Sequence, residues 1–441
     1  MPIGGLLSQA TSKVIGKAVT HRIQRLVETI RASGGQPLDL VLPDGSRLNF
    51  GQRPQVVMAI RDPDLLPALA QPTLGSLGEA FVDGRIDIDG DIIAVIASAE
   101  RLAAEGGAPV TARISAVTAH HSPKQDIDDI KHHYDVGNGF YRLWLDERMI
   151  YSCAYFQTGD ETIHTAQVAK LDHICRKLRL QPGERLLDVG CGWGGLILHA
   201  AQHYGVTAVG ITLSDNQWAY AVERTAAAGM NGRVEVLKLD YRDAPTQFGE
   251  ASFDKISSIG MFEHVGQKNL PVYLGVVRRL LRDRGLFLNH GITSPDADSR
   301  TVGSGVSEFM DKYVFPHTEL PHLHLIIRGM AAQNFEVYDV ESLRPHYART
   351  LAHWSRRLEA QLDSASSLVG ERTLRVWRAY LAGSSLGFEQ GWLNVYQILA
   401  SRQEAAGPTE LPLTRAWMYP AMEHPRTSGL SSMPARTAHL H

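Results

Sequence analysis

The stretch ERLLDVGCGWGG, Glu184 to Gly195, decides the fold. Leu186, Leu187 and Val189 form a short apolar run that reads as a buried β-strand, and the glycines after it turn the chain straight into a helix beginning near Gly194. Gly190, Gly192 and Gly195 have no side chains, so the backbone can turn tightly and bring its N–H groups close to a bound cofactor. The same letters satisfy G-x-G-x-x-G, which marks a nucleotide-binding turn between a strand and a helix.

Two features choose between a dinucleotide fold and a nucleoside-binding methyltransferase fold. A nicotinamide enzyme ends its second strand in a carboxylate that grips the ribose, whereas TAVGITL, Thr207 to Leu213, ends in Thr-Leu-Ser. Asp215 stands at about the right distance, but it follows Ser214, and Ser214 with Gln217 reads as a capping box for the next helix. The second feature is Asp188, a carboxylate at the strand end that suits a cationic amine such as that of S-adenosylmethionine; its alternative role is to cap the glycine turn.

At 441 residues and 44% hydrophobic, the chain has room for one large α/β domain and a smaller companion. Lysine and arginine total 44 against 47 aspartates and glutamates, a net charge of −3, so no basic excess points to nucleic acid. No apolar run approaches the ~18 residues of a membrane span, and the N-terminus lacks a signal-peptide pattern, which reads as cytoplasmic. Cys153, Cys175 and Cys191 form neither a C-x-x-C pair nor an even set, which fits a reducing compartment and argues against a metal site.

The N-terminal part, 1–112, reads as a small α+β domain. Residues 10–31 have an amphipathic pattern, with Lys13, Lys17, His21 and Arg25 opposite Val14, Ile23, Leu26 and Ile30, fit for an anionic membrane surface or for docking on the protein. Leu38 to Gly51 is a hairpin with Asp44-Gly45 at its turn, followed by a helical stretch near Asp62 to Ala70 and the run Gly78 to Ile96. A Gly/Ala-rich stretch, Ala103 to Ala112, leads into a linker at 113–125. In the catalytic part, 126–403, an aromatic-rich segment from Asp126 to Phe156 suits either a lid or a fixed cover. Strand and helix then alternate through Gly285 to Thr293, which predicts a parallel, doubly wound, Rossmann-like sheet with ligands at the carboxyl ends of its strands. A non-alternating insert occupies 294–330, and the Pro- and Ser-rich tail, 404–441, reads as disordered.

The runs HYDVGNGFY (His133 to Tyr141), YSCAYF (Tyr151 to Phe156), LDVGCGWGG (Leu187 to Gly195), GITLSDNQ (Gly210 to Gln217), LDYRD (Leu239 to Asp243), GMFEHVG (Gly260 to Gly266) and KYVFP (Lys312 to Pro316) resemble the cyclopropane-fatty-acyl-phospholipid synthases, in family order. That resemblance covers roughly Asp126 to Arg402 and implies a class I methyltransferase fold with S-adenosylmethionine as methyl donor. It also implies a cis-unsaturated acyl chain on a membrane phospholipid as acceptor, transient contact with the inner membrane surface, and a homodimer. Carried over by position, Tyr151, Ser152, Asp188, Gly190, Cys191, Gly192, Thr212, Leu213, Gln217, Asp240 and Tyr241 would bind the cofactor. Cys153, Glu263, His290, Ile292 and Tyr347 would surround a bicarbonate ion.

The chemistry gives these residues a reason. Methyl transfer to an isolated alkene leaves a carbocation that water would quench, so the pocket must be dry. Aromatic faces, here Tyr313, Phe315, Tyr347 and Trp354, can steady a desolvated cation by about 2 kcal/mol each, or simply line an acyl channel. Ring closure needs only a weak base, and Glu263 could orient the O–H of a bicarbonate while His290 and Tyr347 donate to it. Each has a plainer alternative: a turn for Glu263, a strand histidine for His290, an inert thiol for Cys153. A methyl-branching relative and an inactive lipid-binding module are the competing functions.

Overall fold

The computed structural model describes residue 28 and residues 38–50, 56–65, 73–105, 136–299, 306–315, 318–403 and 411–420. The amphipathic pattern at 10–31, apart from residue 28, the linker at 113–125 and the start of the aromatic segment, 126–135, lie outside them.

The N-terminal unit is a four-stranded sheet, order β2-β1-β3-β4, from β1 (Leu38–Val41), β2 (Arg47–Asn49), β3 (Val56–Ile60) and β4 (Ile86–Asp89). β1 and β2 form the expected hairpin, closed at Asp44-Gly45, while β1 and β3 run parallel. Of the helical stretch expected at Asp62 to Ala70, only a 3-10 turn at Pro63–Leu65 falls among the described residues. The helices of this unit among the described residues are Leu74–Val82, started by a Thr73–Ser76 capping box, and Ile92–Glu105. Leu40, Phe50, Met58, Phe81 and Ile92 fill its core.

The larger unit has a seven-stranded sheet, order β10-β11-β9-β8-β5-β6-β7. β5 (Arg185–Val189), β6 (Thr207–Thr212), β7 (Val234–Lys238), β8 (Phe253–Ile259) and β9 (Leu281–Thr293) are parallel, as the strand–helix alternation predicts. β11 (Asn394–Arg402) departs from it: it is antiparallel to both β9 and β10 (Phe335–Ser342), so β10 runs in the same direction as the other five. β11 returns directly from the long helix Glu371–Gln390 into the gap between β9 and β10, so no right-handed crossover constrains its direction. Successive strand residues face opposite sides, which puts Leu286, Leu288, His290 and Ile292 of β9 on one face and Phe287 and Asn289 on the other.

Glu371–Gln390 joins the two units. Ala382 packs in the N-terminal core, and Trp377, Leu381 and Phe388 pack in the aromatic core of the larger unit. The Arg375 guanidinium ties the seam by donating to the Phe81 and Ile86 carbonyls at 3.1 and 2.9 Å and to the Asp87 carboxylate at 2.7 Å. No helix among the described residues is long and apolar enough to cross a membrane.

The tail corrects the expectation of disorder over 404–441. Residues 411–420 pack against the helix Ile163–Lys177, with Met418 buried and its carbonyl 3.1 Å from His173 Nδ1. Arg415 reaches the buried Asp339 carboxylate at 2.5 Å. The stretch LPLTRAWMYP is largely apolar, with Leu411, Trp417 and Met418 packed on the core, and the Pro- and Ser-rich composition of the tail as a whole hides it. The flanking residues, 404–410 and 421–441, are not described.

Candidate active site

β5 ends at Val189, and Gly190 follows with φ +82°, a left-handed conformation that strains any residue with a Cβ; a Cβ there would also come within 3.1 Å of Met261. The N–H groups of Gly190 and Cys191 both donate to the Ile211 carbonyl at 3.0 Å, which fastens the turn to β6. Gly210 on β6 is bare because Cys191 lies against it: a Cβ there would sit 2.8 Å from the cysteine side chain.

The turn opens onto a cleft of about 1130 Å³, partly open to solvent. Ten of the eleven residues expected to bind the cofactor line it: Tyr151, Ser152, Asp188, Gly190, Cys191, Gly192, Thr212, Leu213, Gln217 and Tyr241. The eleventh, Asp240, does not. Its carboxylate caps the following 3-10 turn through Arg242 N and is held by the Arg242 guanidinium at 2.8 and 2.9 Å, and Arg242 lines the cleft instead.

The capping box at Ser214 is half formed. Ser214 Oγ accepts from Gln217 N at 3.3 Å, but the Gln217 side-chain Oε1 accepts from Thr212 Oγ1 at 2.8 Å rather than capping the serine. That puts a buried amide at the end of β6, where a nicotinamide enzyme would have its carboxylate. Asp215 pairs with Lys238 and is absent from the lining.

Asp188 lies on the buried side of β5 and accepts from Ser257 Oγ at 2.7 Å. Burial pushes its carboxyl up to about 6, against the opposing pull of that hydrogen bond and of Lys170. Lys170 is the functional candidate that sequence reasoning missed. It lines the cleft, is nearly fully buried, donates to Ser152 Oγ at 2.9 Å, and burial lowers it to about 8 despite the field of Asp146, Cys153 and Asp188. Its signal was a lone cation within the pattern Ala166, Leu171, Ile174, where the helix buries its face.

The second predicted set sits across the carboxyl ends of β8 and β9 and the amino end of β11, which runs the other way. Glu263 follows β8 in a short 3-10 turn and is buried; its Oε1 accepts the Ile292 N–H at 2.7 Å, and its Oε2 is buried without a hydrogen-bond partner among the described residues. Desolvation raises its carboxyl to about 7. His290, two residues before Ile292 on the same face, is fully buried; desolvation, aided by the charges of Lys170 and Lys177, lowers it to about 3, so it is a neutral imidazole. Gln397 of β11 lies 3.2 Å from its Nδ1; with the amide donating there, the imidazole proton is on Nε2.

Ile292 pairs with Val395, whose carbonyl accepts Leu343 N, and the Leu343 carbonyl accepts both Tyr347 N at 3.0 Å and the Cys153 thiol at 3.7 Å. This ladder brings all five residues to one end of the sheet. Ile292 plays a different part from the one expected: its N–H is taken up by Glu263, so it positions the carboxylate. Burial drives the Cys153 thiol far above its usual range, which leaves it a neutral, unactivated thiol.

Around this set is an aromatic wall. Tyr151 lies 5.3 Å from Trp354, Tyr347 lies 4.6 Å from Phe388, and Phe315 meets Tyr380 edge-on at 5.7 Å. Tyr313, proposed from sequence as a cation-stabilising face, is turned elsewhere: Lys312 and Arg372 lie over its ring at 5.0 and 5.6 Å.

A glycine turn at β5, a buried amide in place of the ribose carboxylate, and an anionic strand end define an S-adenosylmethionine-dependent methyltransferase. Comparison with known proteins narrows this. Residues 121–398 match the family described as mycolic acid cyclopropane synthetase, and residues 26–105 match a domain of unknown function (DUF7884). The chain is 47% identical over 388 residues, 87% of its own length and 96% of the relative's, to a probable fatty acid methyltransferase of Pseudomonas putida. It is 35% identical to the cyclopropane-fatty-acyl-phospholipid synthase of Escherichia coli K12, over 78% of this chain and 87% of that one. The fold is similar to the mycolic acid cyclopropane synthase CmaA1 complexed with SAH and CTAB, with a TM-score of 0.58 and 36% identity over 63% of this chain and 98% of that one. It is equally similar to the cyclopropane synthase MmaA2 of Mycobacterium tuberculosis, with a TM-score of 0.59 and 32% identity over 65% and 100%. The chain belongs to the mycolic acid cyclopropane synthetase family.

Proposed function

We propose that this enzyme transfers the methyl group of S-adenosylmethionine to the cis double bond of an acyl chain on a membrane phospholipid and closes a cyclopropane ring. The observation that carries the reading is Glu263: a carboxylate with one oxygen anchored on Ile292 N–H at 2.7 Å and the other buried with no partner. A buried acceptor left open is costly unless something donates to it.

A bicarbonate ion fits the groups present. Glu263 Oε2 can accept its O–H, and neutral His290 and the Tyr347 hydroxyl can donate to its oxygens. Bound there, such an ion supplies a base weak enough to coexist with a sulfonium and strong enough to take a proton from a carbocation. The chain's own residues do the rest. Asp188 and Gln217 suit the amine and ribose of the methyl donor, Trp354, Tyr347 and Tyr151 exclude water and turn π-faces inward, and the Cys153 thiol stays inert toward the donor's methyl.

Incubation with methyl-labelled S-adenosylmethionine and monounsaturated phospholipid vesicles tests this. Label should enter the acyl chains as one added CH₂ that resists ozonolysis and mild hydrogenation, as a ring does and an alkene does not. The name of the Pseudomonas relative, a fatty acid methyltransferase, supports a second reading in which the same cation loses its proton elsewhere and gives a methylene or methyl-branched chain. That product, a methylene or a methyl-branched alkene, would be cleaved by ozone and reduced by mild hydrogenation, and would overturn the ring.

A further inference from the structure

The ammonium of Lys170 has three N–H donors and, among the described residues, one hydrogen-bond partner, the Ser152 hydroxyl at 2.9 Å. The two carboxylates whose charge it feels, Asp146 and Asp188, are bonded elsewhere: Asp146 accepts from Ile150 N at 2.8 Å and Arg148 N at 3.1 Å, and Asp188 accepts from Ser257 Oγ at 2.7 Å. Lys177, two turns further along the same helix, is paired with both Asp339 and Glu341. A buried cation left without an anion is costly unless a ligand supplies one.

Residue 152 is gripped twice by that helix. Gln167 Nε2 donates to the Ser152 carbonyl at 2.9 Å, and Lys170 donates to its hydroxyl. An ammonium only donates, so Ser152 Oγ is the acceptor in that bond and its own O–H remains to donate to something else. Among the described residues nothing accepts it, and Ser152 and Lys170 both line the cofactor cleft. A hydroxyl and an ammonium side by side are donors for an anion.

The charges of the cleft fit one kind of anion. Asp188 is the one carboxylate in its lining, and Lys170 and Arg242 are its lysine and arginine. Arg242 is already held by Asp240 at 2.8 and 2.9 Å. What remains is one acid and one base, each within the other's field but not paired. That arrangement complements an ammonium and a carboxylate carried on one carbon, the amino-acid end of the methyl donor. A ligand with the amine alone would answer Asp188 and leave the Lys170 ammonium to repel it.

We infer that Lys170 and the Ser152 hydroxyl hold the carboxylate of the donor's amino-acid end while Asp188 takes the neighbouring ammonium. The inference rests on the reading above for the identity of the methyl donor, and it is independent of where the methyl goes.

The test is calorimetric titration of the full chain with S-adenosylhomocysteine and with its decarboxylated analogue, which keeps the nucleoside, the thioether and the amine. The parent should bind the ligand with the carboxylate at least tenfold more tightly. In Lys170→Met that preference should fall to threefold or less, chiefly through lost S-adenosylhomocysteine affinity, and Ser152→Ala should narrow it in the same direction. Thermal denaturation reports whether Lys170→Met is folded, and Ser152→Ala, which removes no charge, carries the test if it is not. A parent that binds both ligands equally, or variants that weaken both by the same factor, would overturn the inference and leave the reaction assignment standing. The predicted pattern in an enzyme that methylates no unsaturated lipid would uphold the inference and sink the reaction.

Discussion

The helix Ile163–Lys177 carries two buried lysines two turns apart, and the polar groups around them are treated in opposite ways. Around Lys177 every charge is answered: its ammonium meets Asp339 at 3.1 Å and Glu341 at 2.5 Å, His173 reaches Glu341 at 2.7 Å, and Arg415 of the tail closes on Asp339. Around Lys170 the answers are incomplete, since burial raises both Asp146 and Asp188, the latter to about 6, and at the sheet end Glu263 is raised to about 7 with its Oε2 unpartnered among the described residues. Two glutamates mark the contrast, since His173 and Lys177 overcome burial to hold Glu341 down at about 2. A satisfied buried network fixes structure, and an unsatisfied one keeps places for ligands.

Breaking the satisfied side should have the largest effect. Lys177→Met leaves Asp339 and Glu341 buried without their central cation and should cost about 3–5 kcal/mol of stability, read by chemical denaturation. A change under 1 kcal/mol would show that the network is not load-sharing in this way. On the other side, Glu263→Gln should lose little stability and leave S-adenosylmethionine affinity unchanged, yet cut turnover at least tenfold, the loss of ~1.4 kcal/mol of transition-state interaction. Near-wild-type turnover would remove Glu263 from the chemistry.

The two glutamates also give opposite pH signs, a smaller and finer test. Glu263, raised from 4.5 to about 7, binds a proton more tightly when folded, so the stability it contributes is present below 4.5 and is lost as pH rises through 7. Glu341, lowered from 4.5 to about 2, contributes stability above 4.5 that is lost as pH falls through 2. If the ionised form of Glu263 is needed to accept an O–H, activity should rise through pH 7, and that limb should vanish from the residual activity of Glu263→Gln. A limb that persists there belongs to another group.

The glycine loop was legible because its geometry is local: a strand end, four glycines and a helix start lie within twelve consecutive residues. The antiparallel direction of β11 was not legible, because the chain's return path sets it. The helix Ile163–Lys177 was passed over for a physical reason. Its buried face includes Gln167, Lys170, His173 and Lys177, spaced as one helical stripe, so a search for apolar periodicity finds no amphipathic signal. The tail segment that covers this stripe was misread for another reason: its few apolar anchors, Leu411, Trp417 and Met418, are diluted by the Pro- and Ser-rich residues around them. Asp240 shows the limit of carrying roles over by position: the match of letters was right, and the neighbouring arginine took the carboxylate. Glu263 and His290 could be placed at one sheet end from strand order, but the orphaned oxygen exists only in three dimensions.

The most direct measurement is turnover in carbon-dioxide-free buffer before and after bicarbonate is restored. Wild-type activity should fall on depletion and recover on addition, and Glu263→Gln should show no recovery. Full wild-type activity without bicarbonate would contradict the claim that a small anion held on Glu263 takes the proton.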